Sequence, residues 1–178
     1  MFLVCFLFGC SKEGSFDNAL KMRDRILAAQ ECRFQAEITA DYGDKIQSFV
    51  LSCKSDAQGN IEFTVVAPET ISGISGKIDE IGGNLQFDHA MLAFPLLADN
   101  QLSPVSAPWI LMRSLRSGYI EACGSDTNLN RATIYDSYSE DALQIEVWFD
   151  DDLKPVQADI VWDGRRILTV VVSNFTIM

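Results

Sequence analysis

Two spacings of apolar residues alternate along this chain. Over residues 16–31 they recur at helical intervals: Phe16, Ala19, Leu20, Met22, Ile26 and Leu27, interrupted by charges such as Arg23. Ser15 stands where an N-cap would. The period then shortens to two, which predicts strands over 32–41, 46–55, 60–67, 71–79, 84–88 and 90–94. A loop is expected over 95–106. A second helix is expected over 107–117, with Ser106 as N-cap, Pro108 in its first turn and Gly118 after its end. Its run Trp109-Ile110-Leu111-Met112 and Leu115 is so apolar that another layer must cover it. Alternation resumes over 119–125, 130–138, 142–150, 155–162 and 166–177, with Asp163-Gly164 as a hairpin turn before the last strand.

Short turns between consecutive strands imply antiparallel pairing. The expected fold is therefore mainly β (α+β). It is a curved antiparallel sheet, or incomplete barrel, of about eleven strands. The N-terminal helix and helix 107–117 lie on its concave face. The 178 residues fit one domain, and a 48% hydrophobic, 22% charged composition can build a core.

The chain opens Met1-Phe2-Leu3-Val4-Cys5-Phe6-Leu7-Phe8-Gly9-Cys10 and turns polar at Ser11-Lys12-Glu13. An apolar run ending in a small residue and Cys has the form of a signal peptide. Leu7-Phe8-Gly9-Cys10 resembles the bacterial lipobox. That resemblance implies that residues 1–9 are removed and Cys10 is lipidated. Residues 10–15 then form a tether and 16–178 a single domain. Two acyl chains on one cysteine suffice for stable anchoring. The implied location is extracytoplasmic, on a bacterial membrane.

Three cysteines follow: Cys32, Cys53 and Cys123. Export permits disulfides. Cys32 and Cys53 flank a hairpin and share its apolar face in either of two registers. A loop over 41–44 sets them directly opposite, whereas a two-residue Gly43-Asp44 loop makes them diagonal neighbours. A Cys32–Cys53 disulfide and two buried free thiols both fit.

The order helix, six strands, helix, five strands resembles the LolA/LolB-like lipoprotein-carrier superfamily. Asp152-Leu153-Lys154-Pro155, Ala158-Asp159-Ile160, Asp163-Gly164-Arg165 and Asn174-Phe175 are similar to the closing hairpins of those proteins. Val66-Ala67-Pro68-Glu69 is similar to another stretch of theirs. GerS-like germination lipoproteins are distant relatives in the same group. The resemblance implies an apolar half-barrel cavity and a role in binding.

Net charge is −11, from 25 acidic and 14 basic residues, which makes nucleic acid a poor partner. Chemistry-bearing patterns are sparse. The one histidine, His89, sits in a turn, and no GxSxG elbow accompanies it. Asp150-Asp151-Asp152 lacks calcium-loop spacing and reads as an acidic hairpin tip. Gly73, Gly76, Gly82 and Gly83 lack the phosphate-loop pattern and read as bends. No catalytic residue, metal or cofactor is expected.

What remains is an apolar surface. Trp109, Ile110, Leu111 and Leu115 on the helix can face Phe63, Val65, Leu85, Phe87, Leu92 and Phe94 on the sheet. If the half-barrel is under-filled, these residues line a groove for a lipid, a lipoprotein acyl chain or an apolar peptide. If it is filled, they are core, and the chain is a scaffold for an envelope protein such as a cell-wall enzyme.

Overall fold

The computed structural model describes residues 12–87, 90–94, 97–98, 101–139 and 141–178. Helix α1 spans Lys12–Ala28 and starts four residues before the expected 16. Six strands follow: β1 Glu31–Asp41, β2 Ile46–Asp56, β3 Ile61–Ala67, β4 Ser75–Ile78, β5 Gly83–Phe87 and β6 Ala90–Phe94. The expected loop over 95–106 instead holds a small hairpin, β7 Leu97–Ala98 with β8 Gln101–Leu102, and a 3-10 turn at Pro104–Ser106. Tyr42 ties this hairpin down, its hydroxyl donating to Leu102 O at 2.7 Å. Helix α2 is Ala107–Ser117, as its apolar run and Pro108 require. The chain returns through β9 Tyr119–Asp126, β10 Leu129–Tyr135, β11 Gln144–Phe149, β12 Pro155–Trp162 and β13 Arg165–Ile177.

Eleven strands form one open antiparallel sheet in the order β6-β5-β4-β3-β2-β1-β13-β12-β11-β10-β9. All its neighbours but one are consecutive in the chain, which makes two meanders; among the described residues the pairing of β1 with β13 alone joins them. That pairing is interrupted by a bulge between Arg33 and Gln35.

One face of the sheet is the core face. Along β1, Cys32, Phe34, Ala36, Ile38 and Ala40 are buried, alternating with polar positions that are not. Helix α2 buries eight of its eleven residues. Helix α1 lies against β9, β10 and α2. It buries Ala19, Met22 and Ile26 and leaves Phe16, Leu20 and Leu27 exposed, so its apolar stripe is only half used.

Two end signals of α2 act differently from expectation. The Ser106 hydroxyl makes no cap bond and donates backward to Ser103 O at 2.6 Å, because the preceding 3-10 turn already holds the entry. Gly118 has an ordinary φ of −66°. It is needed for space: an added Cβ would lie 2.5 Å from Ile134 Cγ2 and 2.7 Å from Ser114 O.

Candidate functional site

The ten expected lining residues do not share one environment. Phe63, Val65, Trp109, Ile110, Leu111 and Leu115 are all buried in a single continuous core cluster. Leu85 and Phe94 are half-buried against it. Phe87 and Leu92 are 60% and 65% exposed. Among the described residues, the helix is thus packed into the sheet, and the apolar inner face becomes accessible only toward β5 and β6.

Register explains how that face is built. Phe63 pairs with Gly76, and Gly83 with Phe94. A Cβ at Gly76 would stand 2.6 Å from Phe63 Cζ, and one at Gly83 would collide with the Phe94 ring. These two glycines are therefore seats for aromatic rings lying across neighbouring strands, not bends. Gly73 and Gly82, with φ of 89° and 152°, do mark turns. The sequence clue to the seats was a glycine directly across from a phenylalanine, which is legible only once register is known.

The cysteines take the offset register. Cys32 faces Ser55 and Phe34 faces Cys53, as the tight connection with Tyr42 N–H on Lys45 O at 3.0 Å dictates. Cys32 and Cys53 are diagonal neighbours on the core face, two pairs apart in the ladder, both buried, and both are free thiols, as is Cys123. Burial pushes the Cys32 and Cys53 thiols above the usual range. Cys10 and His89 lie outside the described residues.

Asp150 Oδ1 accepts the Lys154 N–H at 2.9 Å, and Lys154 pairs with Asp152 at 3.4 Å, so the acidic tip is organised as a turn. Asp79 Oδ1 likewise accepts the Ile81 N–H at 2.9 Å. Among the described residues no three His, Cys, Asp or Glu side chains gather as metal ligands. No helix there is long and apolar enough to cross a membrane.

Sequence reasoning missed two buried carboxylates on the face away from the helices. Glu146 and Asp159 are opposite each other on β11 and β12, and only 8% and 7% exposed. Each is held by its own donors. Arg131 Nε at 2.7 Å, Gln144 Nε2 at 2.7 Å and Thr133 Oγ1 at 3.0 Å serve Glu146. Thr169 Oγ1 at 2.9 Å and Arg166 Nη1 at 3.2 Å serve Asp159. Two like charges side by side are stable only with such separate compensation. The donors come from within the sheet itself, so the pair is a structural network.

No protein-family model and no curated protein matches this sequence. Solved structures do. An uncharacterized conserved protein from Thermus thermophilus is similar at 11% identity and a TM-score of 0.50, over 90% of this chain and 87% of that one. A LolA superfamily protein from Nitrosomonas europaea is similar at 6% identity and a TM-score of 0.47, over 96% and 94%. The Mycobacterium tuberculosis lipoprotein LppX is similar at 11% identity and a TM-score of 0.46, over 93% and 96%. At these identities the likeness is one of fold alone: an unclosed, curved antiparallel sheet with an N-terminal helix and a central helix.

Proposed function

We propose that this chain is an extracytoplasmic, membrane-anchored binding protein without catalytic activity, which takes an apolar ligand on the inner face of β5 and β6. The ligand is a lipid, a lipoprotein acyl chain or an apolar peptide, and the anchor is acylated Cys10. One observation carries the reading. Phe87 and Leu92 belong to the face that forms the core elsewhere, yet they stand 60% and 65% exposed at the open edge of the sheet. Leu85 and Phe94 extend this surface inward to the core. Covering such side chains contributes roughly 1.5–3 kcal/mol each, and a ligand supplies that cover. The space around α2, filled by Trp109, Ile110, Leu111 and Leu115, is not the binding volume in this reading.

Titration of the purified chain with a fluorescent fatty acid tests it, with native mass spectrometry as the second readout. Uptake at micromolar concentration is expected, with Phe87→Asp and Leu92→Asp each weakening it about tenfold. Both positions are exposed, so the variants keep the fold. Absence of uptake, or uptake indifferent to both substitutions, overturns the proposal.

A second reading rests on β6 itself. Ala90, Met91, Leu92 and Ala93 are exposed on an edge strand that carries no charge. Such an edge accepts an added strand from an envelope partner. Recovery of an envelope enzyme on the native chain, lost with Met91→Lys, favours it; recovery unchanged by that substitution sinks it.

A further inference from the structure

The outer face of the sheet has two unlike halves. On β10 to β13 the polar row is closed on itself through Thr133, Glu146, Asp159 and Thr169. On β1 to β5 the corresponding surface is a groove of about 980 Å³. It runs from Asn174 on β13 to Met91 on β6, seven strands, or roughly 29 Å at about 4.8 Å per strand.

Register shows what forms the walls. One wall is the cross-strand row Arg33, Lys54, Glu62, Lys77 and Asn84. The other is the row Gln35, Ser52, Thr64, Ser75 and Gln86, one residue from each of five adjacent strands. None of these five side chains makes a hydrogen bond among the described residues. Each carries both donor and acceptor capacity. Asn84, on the first wall, holds its Oδ1 out of solvent with no hydrogen-bond partner among the described residues.

Charge distinguishes the groove from the rest of the molecule. Three of the 14 basic residues line it, against one of the 25 acidic ones, in a chain of net charge −11. Lys77 lies 3.7 Å from Glu62, and Glu31, just outside, is 3.0 Å from Lys54 and 2.5 Å from Arg33. The Lys77–Glu62 pair is exposed on both sides and therefore weak, whereas Glu31 is only 22% exposed and a ligand anion must compete with it for Arg33 and Lys54. At physiological salt the acidic residues beyond about 8 Å are screened, so Arg33, Lys54 and Lys77 are offset chiefly by Glu31 and Glu62.

We infer that this groove is a binding site for an acidic oligosaccharide, its carboxylates against Arg33, Lys54 and Lys77 and its hydroxyls and amides along the ladder from Gln35 to Gln86. A sugar hydroxyl is donor and acceptor at once, which is what the ladder offers at every step. The site is on the opposite face from the apolar surface of β5 and β6, and neither depends on the other.

The test uses the purified chain with hyaluronan hexasaccharide as the acidic probe and chitohexaose as the neutral one, by calorimetry and by NMR of the Gln35, Asn84 and Gln86 side-chain amides. Hyaluronan hexasaccharide is expected to bind with a Kd on the order of 100 μM, and chitohexaose about tenfold more weakly. The Lys54→Gln/Lys77→Gln variant is expected to lose about tenfold for the acidic probe, with its thermal midpoint unchanged. Gln35→Ala/Gln86→Ala is expected to weaken both probes. Unperturbed amide signals at saturating sugar, equal affinity for the two probes, or undiminished binding by the double lysine variant each overturns the assignment.

Discussion

Arg23 and Arg116 cap each other's helices. Arg23, on α1, donates Nε to Leu115 O at 2.8 Å and Nη2 to Gly118 O at 2.7 Å, where α2 ends. Arg116, in the last turn of α2, donates Nη1 to Ile26 O at 2.9 Å near the end of α1, and Nη2 to Ala57 O in the β2–β3 turn. Terminal carbonyls lack intrahelical donors and carry the negative end of the helix dipole, so each guanidinium satisfies two needs at once. Burial lowers the pKa of Arg23, the cost of placing it there.

Replacing either arginine with methionine keeps the apolar stem and removes the cap. Each substitution should cost about 1.5–3 kcal/mol in urea unfolding, and the double variant should cost at least about 0.5 kcal/mol less than the sum, because both act on the α1–α2 contact. Strict additivity would show that the two caps are independent.

Gly76→Ala should destabilise by about 1–3 kcal/mol, since the new methyl meets Phe63. The contact distances are 2.6 Å to Phe63 Cζ and 2.5 Å to Asn84 O. Adding Phe63→Leu should recover part of the loss. Gly124→Ala, which meets nothing within 4 Å, serves as the control. Equal midpoints for the two alanine variants would remove the aromatic seat.

Thiol reactivity should separate by burial. Timed alkylation read by peptide mapping should modify half-buried Cys123 first and leave Cys32 and Cys53 protected until the chain unfolds. Fast native-state labelling of Cys53 would contradict its place in the core.

Asp56 organises the β2–β3 turn. Burial raises its pKa, but this is outweighed by hydrogen bonds from Asn60, Gln58 and Gly59, and the net shift is downward. Its Oδ1 takes the Gln58 and Asn60 N–H groups, each at 2.9 Å. A carboxylate with a depressed folded-state pKa contributes stability that is present above its unfolded value and lost as pH falls through the folded one. Asp56→Asn should therefore lower the thermal midpoint at neutral pH and flatten its decline below about pH 4. An unchanged acid slope would exclude the contribution.

Much of this fold is legible in local pattern. Strands β6 and β12 and helix α2 have the bounds their spacing implies, because alternation or a greasy run with Pro108 and Gly118 marks both ends. The offset of Cys32 from Cys53 follows from one of the two loops considered. Exposure is less legible. Phe87 and Phe63 share a face by parity, yet Phe63 is buried and Phe87 is not; the difference lies in which strands carry a layer above them. Glu146 and Asp159 alternate like solvent-facing residues and are buried by Arg131, Gln144 and Arg166, whose reach no single-strand pattern encodes. The β7–β8 hairpin is too short to leave any periodicity.

The lone seam between the meanders sets the order of assembly. Its partners, Cys32 and Ile177, stand near opposite ends of the chain. The first six strands can be synthesised and pair among themselves, but the ribbon stays in two pieces until β13 emerges. Contacts so distant in sequence form slowly. A chain halted short of β13 therefore carries four unpaired strand edges, on β6, β1, β12 and β9, where the joined sheet carries two.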